Sequence, residues 1–360
     1  MLFSDILGDN TLFGAVAVNG EIYDFGGMFS YMNQKRKINW GGSISHIPYR
    51  TATLGIEEER IFNEDSTAYY LRTNLQLYNI RTFEDQLSLF AYYPFSMSRR
   101  LEVGGSMARY YYRIDRWNHY YEGGFYRGES RERVDAPPGF NLARLNLAYV
   151  GDNSYFGLAS PMRGYRYRIQ GDKYFGRLEF YQLLTDYRQY YFQNPLSFAF
   201  RFYHAGRYGP TAENNLFYPM YLGFPGFVRG YSSSQFYQLQ SFQNIDFSIN
   251  DLIGSRMAVT NFEIRLPFTG PEQLAVIQSG IFFTELALFF DAGVAWTTDT
   301  RPTFDIDDMS PDRRFPFFST GLSLRVNLFG ALIIEPYYAF PFHRNGISEG
   351  VLGLNFIPGW

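Results

Sequence analysis

The sequence contains no cysteine. That excludes disulfide frameworks and thiolate metal sites and leaves the redox compartment open. It also lacks any uninterrupted apolar run near the roughly 18 residues that a membrane-spanning helix needs. No basic patch with interleaved stacking aromatics occurs, and the formal net charge is −3. Nucleic acid is therefore excluded as a partner. The four histidines, His46, His119, His204 and His343, lie far apart, and none has metal-ligand spacing. There is no Gly-x-Ser-x-Gly elbow, and Gly104-Gly105-Ser106 reads as a strand kink. No Ser/His/Asn set of the kind a barrel phospholipase needs falls on one strand face. The acidic residues Asp305, Asp307, Asp308 and Asp312 read as a solvated loop rather than a cation site. The expectation is a protein with no enzymatic activity, no cofactor and no metal. The start, Met1-Leu2-Phe3-Ser4-Asp5, lacks the basic region and cleavage pattern of a leader. For a secreted protein, a missing leader is the expectation.

What is abundant is aromatic: 37 Phe and 31 Tyr in 360 residues. Mean hydropathy is nevertheless only −0.25, because polar residues interrupt the apolar ones throughout. Aromatic-rich, strand-rich and polar on average is the composition of a transmembrane β-barrel, with one strand face to lipid and the other to a wet lumen. A large soluble sandwich or propeller is the competing reading.

The pattern along the chain separates the two. After a lead-in over residues 1–10, Leu12 to Asn19 alternates and ends at the hairpin signal Asn19-Gly20. Ile22 to Met32 returns, Gln34-Lys35-Arg36 turns, and Lys37 to Ser45 alternates again. Residues 47–80 leave room for two further strands around the charge run Glu57-Glu58-Glu59-Arg60. Strands follow over Leu87 to Tyr93 and Leu101 to Tyr112. The charged, aromatic stretch Arg113 to Pro138 reads as a long exposed loop. Alternation resumes over Asn141 to Val150, Arg163 to Ile169, Tyr174 to Leu184 and Leu196 to Ala205. It is cleanest at the end: Ala258 to Phe268, Thr284 to Trp296, Phe317 to Leu328, Leu332 to Phe340 and Leu352 to Trp360. There Glu263, Arg265, Asp291, Arg325 and Glu335 all have the parity opposite to the Leu, Ile and Phe residues. Trp296, Phe268, Phe342 and Trp360 stand at strand ends, as interfacial girdles do.

These observations predict an all-β protein: a single transmembrane antiparallel β-barrel over residues 11–360. The expected count is 16 strands, with 14 as the alternative, since bacterial single-chain barrels take even numbers. Closure is expected because an open edge cannot be satisfied in lipid. The short connection Leu328-Phe329-Gly330 is expected to be periplasmic. The long ones, Trp296 to Arg314 and Tyr208 to Gly254, are expected outside. Thr269 to Phe283 is long for a periplasmic turn. Within residues 208–254, Arg229 needs a carboxylate if it is buried. Lumenal parity offers Asp291, with Glu263 as a second acceptor for the five donors of one arginine.

Several of these residues form motifs. Gly223-Phe224-Pro225-Gly226-Phe227-Val228-Arg229-Gly230-Tyr231 resembles the external-loop motif of the BamA/TamA and two-partner-secretion barrel superfamily. Phe289-Phe290-Asp291-Ala292-Gly293 resembles its Phe-x-Asp-x-Gly motif, and Asn261-Phe262-Glu263-Ile264-Arg265-Leu266-Pro267 the segment between. The end, Gly353-Leu354-Asn355-Phe356-Ile357-Pro358-Gly359-Trp360, resembles the strand by which such barrels are recognised for assembly, with Phe356 and Trp360 as the signal. The resemblance is strongest over residues 220–360. It implies that residues 208–254 fold into the lumen and are locked by Arg229, Gly230 and Tyr231 on Asp291 and Glu263. It further implies the outer membrane as location. Its partners would be the lipid bilayer, client outer-membrane or secreted proteins, and assembly-complex subunits. The implied role is assisting insertion or translocation of proteins through an openable seam between first and last strands. No POTRA-type repeats precede the barrel here, so a passive porin, or a membrane anchor for a missing soluble domain, is the alternative.

Overall fold

The computed structural model describes the chain except residues 19, 63–68, 215, 225, 243–246, 329, 331, 345 and 357–360. The described residues form an all-β fold, with long antiparallel strands and one short α-helix. It forms two compact units. One is Met1–Tyr93, Val103–Leu145 and Tyr174–Leu178; the other is Pro94–Glu102, Asn146–Lys173 and Glu179–Trp360.

In the first unit, β1 (Asn10–Val18), β2 (Phe25–Asn33), β3 (Asn39–Phe62) and β4 (Tyr69–Ser96) pair in succession. β3 and β4 have 24 and 28 residues, against the roughly 9–11 that cross a bilayer. They pair without a break from Asn39–Tyr92 to Phe62–Tyr69. The two extra strands expected in residues 47–80 are therefore not there, because that stretch lengthens two neighbouring strands. A second correction concerns Arg113 to Pro138. It is not a loop: β5 (Arg99–Glu122) and β6 (Phe125–Val134) form a hairpin from Ile114–Val134 to Glu122–Phe125. Ion pairs such as Arg116–Glu132, at 2.6 Å, staple it.

Among the described residues, the remaining strands of 5 residues or more are β7 (Phe140–Asp152), β8 (Pro161–Gly176), β9 (Phe180–Gln193), β10 (Leu196–Tyr208), β11 (Arg256–Gly270), β12 (Phe283–Trp296), β13 (Phe317–Leu328), β14 (Leu332–His343) and β15 (Val351–Asn355). The strand expected over Tyr174 to Leu184 is split. Its first residues end β8, and β9 begins at Phe180. From β9 to β15 each strand pairs antiparallel with the next. No pairing among the described residues closes the sheet on itself. The long connection after β11 folds back, and Thr269 and Gly270 pair in parallel with Ile277 and Gln278.

Register turns parity into rows of side chains. Arg188, Arg201, Asn261, Asp291 and Ser319 stand directly opposite one another across β9 to β13. The next row is Tyr190, Ala199, Glu263, Phe289, Gly321 and Ala339. On β12 the inward residues Glu285 and Asp291 are fully buried, while Leu288 is 49% exposed. The sheet is thus polar inside and apolar outside, the reverse of a water-soluble fold and the arrangement a bilayer requires.

Candidate functional site: an arginine lock on the inner face

Residues 208–254 leave β10 and return to β11 over the buried face of this sheet. Two short strands, Met220–Tyr221 and Ile253–Gly254, join the arms of the loop. Helix α1 (Ser233–Phe242) and a 3-10 turn (Ile249–Leu252) lie between them. Leu222, Val228, Tyr231, Phe236 and Leu252 pack on Met257, Val259, Ala295 and Phe317 of the strands. Each such side chain contributes about 1.5–3 kcal/mol when fully buried. That apolar contact places the loop; the polar contacts then fix its register. Tyr221 donates to the carbonyl of Tyr231 at 2.6 Å, and burial pushes its hydroxyl pKa up to about 12.

Arg229 stands at the centre. Its Nε and Nη2 donate to the two oxygens of Asp291, both at 2.8 Å, and its backbone N–H adds a bond of 3.2 Å. Nη2 also lies 2.8 Å from Glu263, and Nη1 lies 3.3 Å from Glu335. The guanidinium sits 3.6 Å above the Phe289 ring centroid, a cation–π contact in a desolvated place. Asn261, opposite Asp291, donates to Asp291 at 2.8 Å and to the carbonyl of Phe227 at 2.6 Å. Gly230 has φ +93°, and a Cβ there would stand 2.6 Å from Pro341 Cγ; the motif needs glycine for both reasons. The Tyr231 hydroxyl lies 3.0 Å from the carbonyls of Phe318 and Phe342.

The sequence reading thus placed Arg229, Gly230, Tyr231, Asp291 and Glu263 at one point, and the structure brings them together. It missed how far the network reaches. Arg325 bonds Glu263 at 2.8 Å, Glu285 at 3.1 Å and Glu335 at 3.1 Å. Arg265 bonds Glu263 at 2.7 Å, and Ser160 donates to Glu285 at 2.7 Å. Arg229, Arg265 and Arg325 face Glu263, Glu285, Asp291 and Glu335, all buried: three cations to four anions. Inward parity on successive strands was the signal that could have found the remaining members.

Also unforeseen, Gln235 of α1 donates to the carbonyl of Leu352 at 2.9 Å and to the Tyr337 hydroxyl at 3.1 Å. A cavity of about 460 Å³ lies there, between residues 223–235 and β15. In the first unit, buried Arg81 donates to Glu21 and Asp24 at 2.7 Å and to Asp115 at 2.6 Å. It holds the β1–β2 connection, and nothing in the motifs pointed to it. Phe356 follows β15 and is exposed; Trp360 lies outside the described residues.

An antiparallel sheet with ions buried on one face, apolar side chains exposed on the other, and a loop bonded to the ionic face is the build of an outer-membrane β-barrel protein. The family is specific: the Omp85 superfamily domain matches residues 7–359, and the chain belongs to that superfamily. Its location is accordingly the bacterial outer membrane, and its class that of protein-insertion and secretion barrels. Family members are typically non-enzymatic. Among solved structures, BamA from Haemophilus ducreyi lacking POTRA domains 1–3 is similar, at 13% identity and TM-score 0.49, over 96% of this chain and 70% of that one. CdiB from Acinetobacter baumannii is similar at 14% identity and TM-score 0.49, over 98% of this chain and 54% of that one. The chain thus spans about half the length of CdiB. No curated protein matches the sequence.

Proposed function

We propose that this chain assists insertion or translocation of client proteins at the outer membrane, as a single barrel domain over residues 11–360 with residues 208–254 locked inside the lumen. The observation that carries the reading is the bonding of Arg229 to Asp291, Glu263 and Glu335 on three different strands. A passive pore has no need to fix a long loop to its wall with a desolvated arginine, which costs several kcal/mol if any partner is missing. Arg229, Gly230, Tyr231, Asp291 and Glu263 form the lock. The chain end with Phe356 and Trp360 serves as the signal for the barrel's own assembly. The bilayer, unfolded outer-membrane or secreted clients and assembly subunits are the partners.

The test uses protein reconstituted in liposomes and a urea-unfolded outer-membrane barrel as client. Client folding, read by protease protection, is expected to be faster than in empty liposomes. Conductance across planar bilayers is expected to be small and flickering, and to rise in Arg229→Ala. No acceleration, together with large stable conductance in the unaltered protein, would establish the passive pore instead.

A further inference from the structure

A second polar site lies on the same inner face, on the strands beside the lock. A cavity of about 460 Å³ is lined by Arg100, Arg166, Arg168 and Arg188 and by two carboxylates, Asp152 and Asp186. Arg188 and Arg201 stand opposite each other on β9 and β10, two like charges in one row. Such a pair is destabilising unless an anion sits between them. Asp186 does so, at 2.6 Å from Arg188 and 3.0 Å from Arg201. Glu102 is likewise shared, at 2.6 Å from Arg100 and 2.9 Å from Arg168. Asp152 takes Arg166 at 2.7 Å and also accepts from Ser154.

Five guanidiniums therefore share three carboxylates, Glu102, Asp152 and Asp186. The lock network has the opposite balance. The side chains of Arg100, Arg166 and Arg168 are 46%, 49% and 37% exposed, so solvent reaches them although each is ion-paired. Like charge concentrated against a low-dielectric wall raises the local concentration of counter-ions. Guanidinium forks match phosphate and carboxylate oxygens two at a time. The site also borders the loop. Arg201 donates to the Gly226 carbonyl at 2.8 Å, and the Tyr203 ring packs tilted against Phe227 with centroids 4.8 Å apart.

We propose that this cavity is an oxyanion-binding site, taking phosphate or carboxylate groups that reach the inner face. It stands independently of the insertion reading. The experiment is calorimetric titration of the detergent-solubilised protein with inorganic pyrophosphate, and separately with a deca-glutamate peptide. The two probes separate a free phosphate-type anion from the carboxylates of a polypeptide. Binding of at least one is expected, weakening with salt and at least tenfold weaker in Arg166→Gln/Arg188→Gln. Arg99→Gln, an exposed arginine outside the cavity, is expected to leave it unchanged. Glu102→Gln removes one of the shared carboxylates, so it is expected to tighten binding severalfold, a gain that misfolding cannot imitate. Binding of neither probe, equal loss in Arg99→Gln, or no gain in Glu102→Gln would overturn the proposal.

Discussion

Val228 occupies the space left by the missing side chain of Gly293: a Cβ on that residue of β12 would stand 2.6 Å from Val228 Cγ2. The glycine that ends Phe289-Phe290-Asp291-Ala292-Gly293 thus makes room for the residue preceding Arg229. Two motifs whose Arg229 and Asp291 lie 62 positions apart in sequence are complementary in shape as well as in charge. Overpacking at such a point costs about 1–3 kcal/mol. Gly293→Val is expected to raise protease cleavage within residues 208–254 roughly tenfold or more, by lifting Val228 and with it the Arg229 backbone. Limited proteolysis of the membrane-embedded protein checks this, and cleavage equal to that of the unaltered protein would refute it.

Arg229→Ala leaves Asp291, Glu263 and Glu335 facing only Arg265 and Arg325, two cations to four anions once Glu285 is included. Removing one partner of a buried ionic group costs about 3–5 kcal/mol, and less where water enters. The loop is expected to loosen while the strands still form, seen as faster proteolysis with unchanged heat-modifiable mobility on gels. Arg229→Lys retains the charge but loses the fork that spans both Asp291 oxygens, so an intermediate effect is expected. In Arg229→Met/Asp291→Asn the two losses are expected to be less than additive by about 1 kcal/mol or more, since the residues share one network. Strict additivity would mean that the pair does not act together.

Alternation makes the inner and outer faces legible in the sequence, because a bilayer and a wet interior differ sharply in polarity. Where both faces meet water, that contrast vanishes. Arg113 to Pro138 carries charge on both faces and read as a loop, although most of it is hairpin. Residues 47–80 misled for the same reason: Glu57, Glu58 and Glu59 are exposed on consecutive positions of one long strand. Parity also gives a face without giving a partner. It placed Arg325 and Glu335 inward, but only the pairing register of β13 with β14 and the approach of Arg229 bring them to one point. The pairing of Arg229 with Asp291 was legible because a motif, not a period, carried it.

Tyr231 tests the polar end of the lock separately from the charged one. Its ring is buried, and its hydroxyl approaches two strand carbonyls at 3.0 Å. Tyr231→Phe keeps the packing and leaves those carbonyls without this donor, a loss of about 1–3 kcal/mol for a buried group. Loop proteolysis is expected to rise less than in Arg229→Ala. Tyr231→Ala, which also empties space beside Phe236, Phe247 and Phe317, is expected to match or exceed Arg229→Ala. A Phe variant as sensitive as the Ala variant would show that the hydroxyl, not the ring, holds the loop.

Leu322 is 62% exposed and stands opposite Leu288 on the outer face, while its neighbours Gly321 and Ser323 point inward. In water, an exposed leucine replaced by arginine changes stability by roughly half a kcal/mol or less in either direction. In a bilayer the same change at mid-depth costs about 2–4 kcal/mol, because the guanidinium must be hydrated within hydrocarbon. Leu322→Arg is therefore expected to lower the stability of the lipid-embedded protein by an amount in the upper range. Leu322→Phe is expected to be nearly neutral. The measurement is equilibrium denaturation in liposomes, followed by the fluorescence of the tryptophans. The depth dependence adds a second check: the same arginine at Leu332, near the strand end beside the short turn, is expected to cost about 0–1 kcal/mol. Equal, small costs at both positions would mean that lipid does not face this side of the sheet.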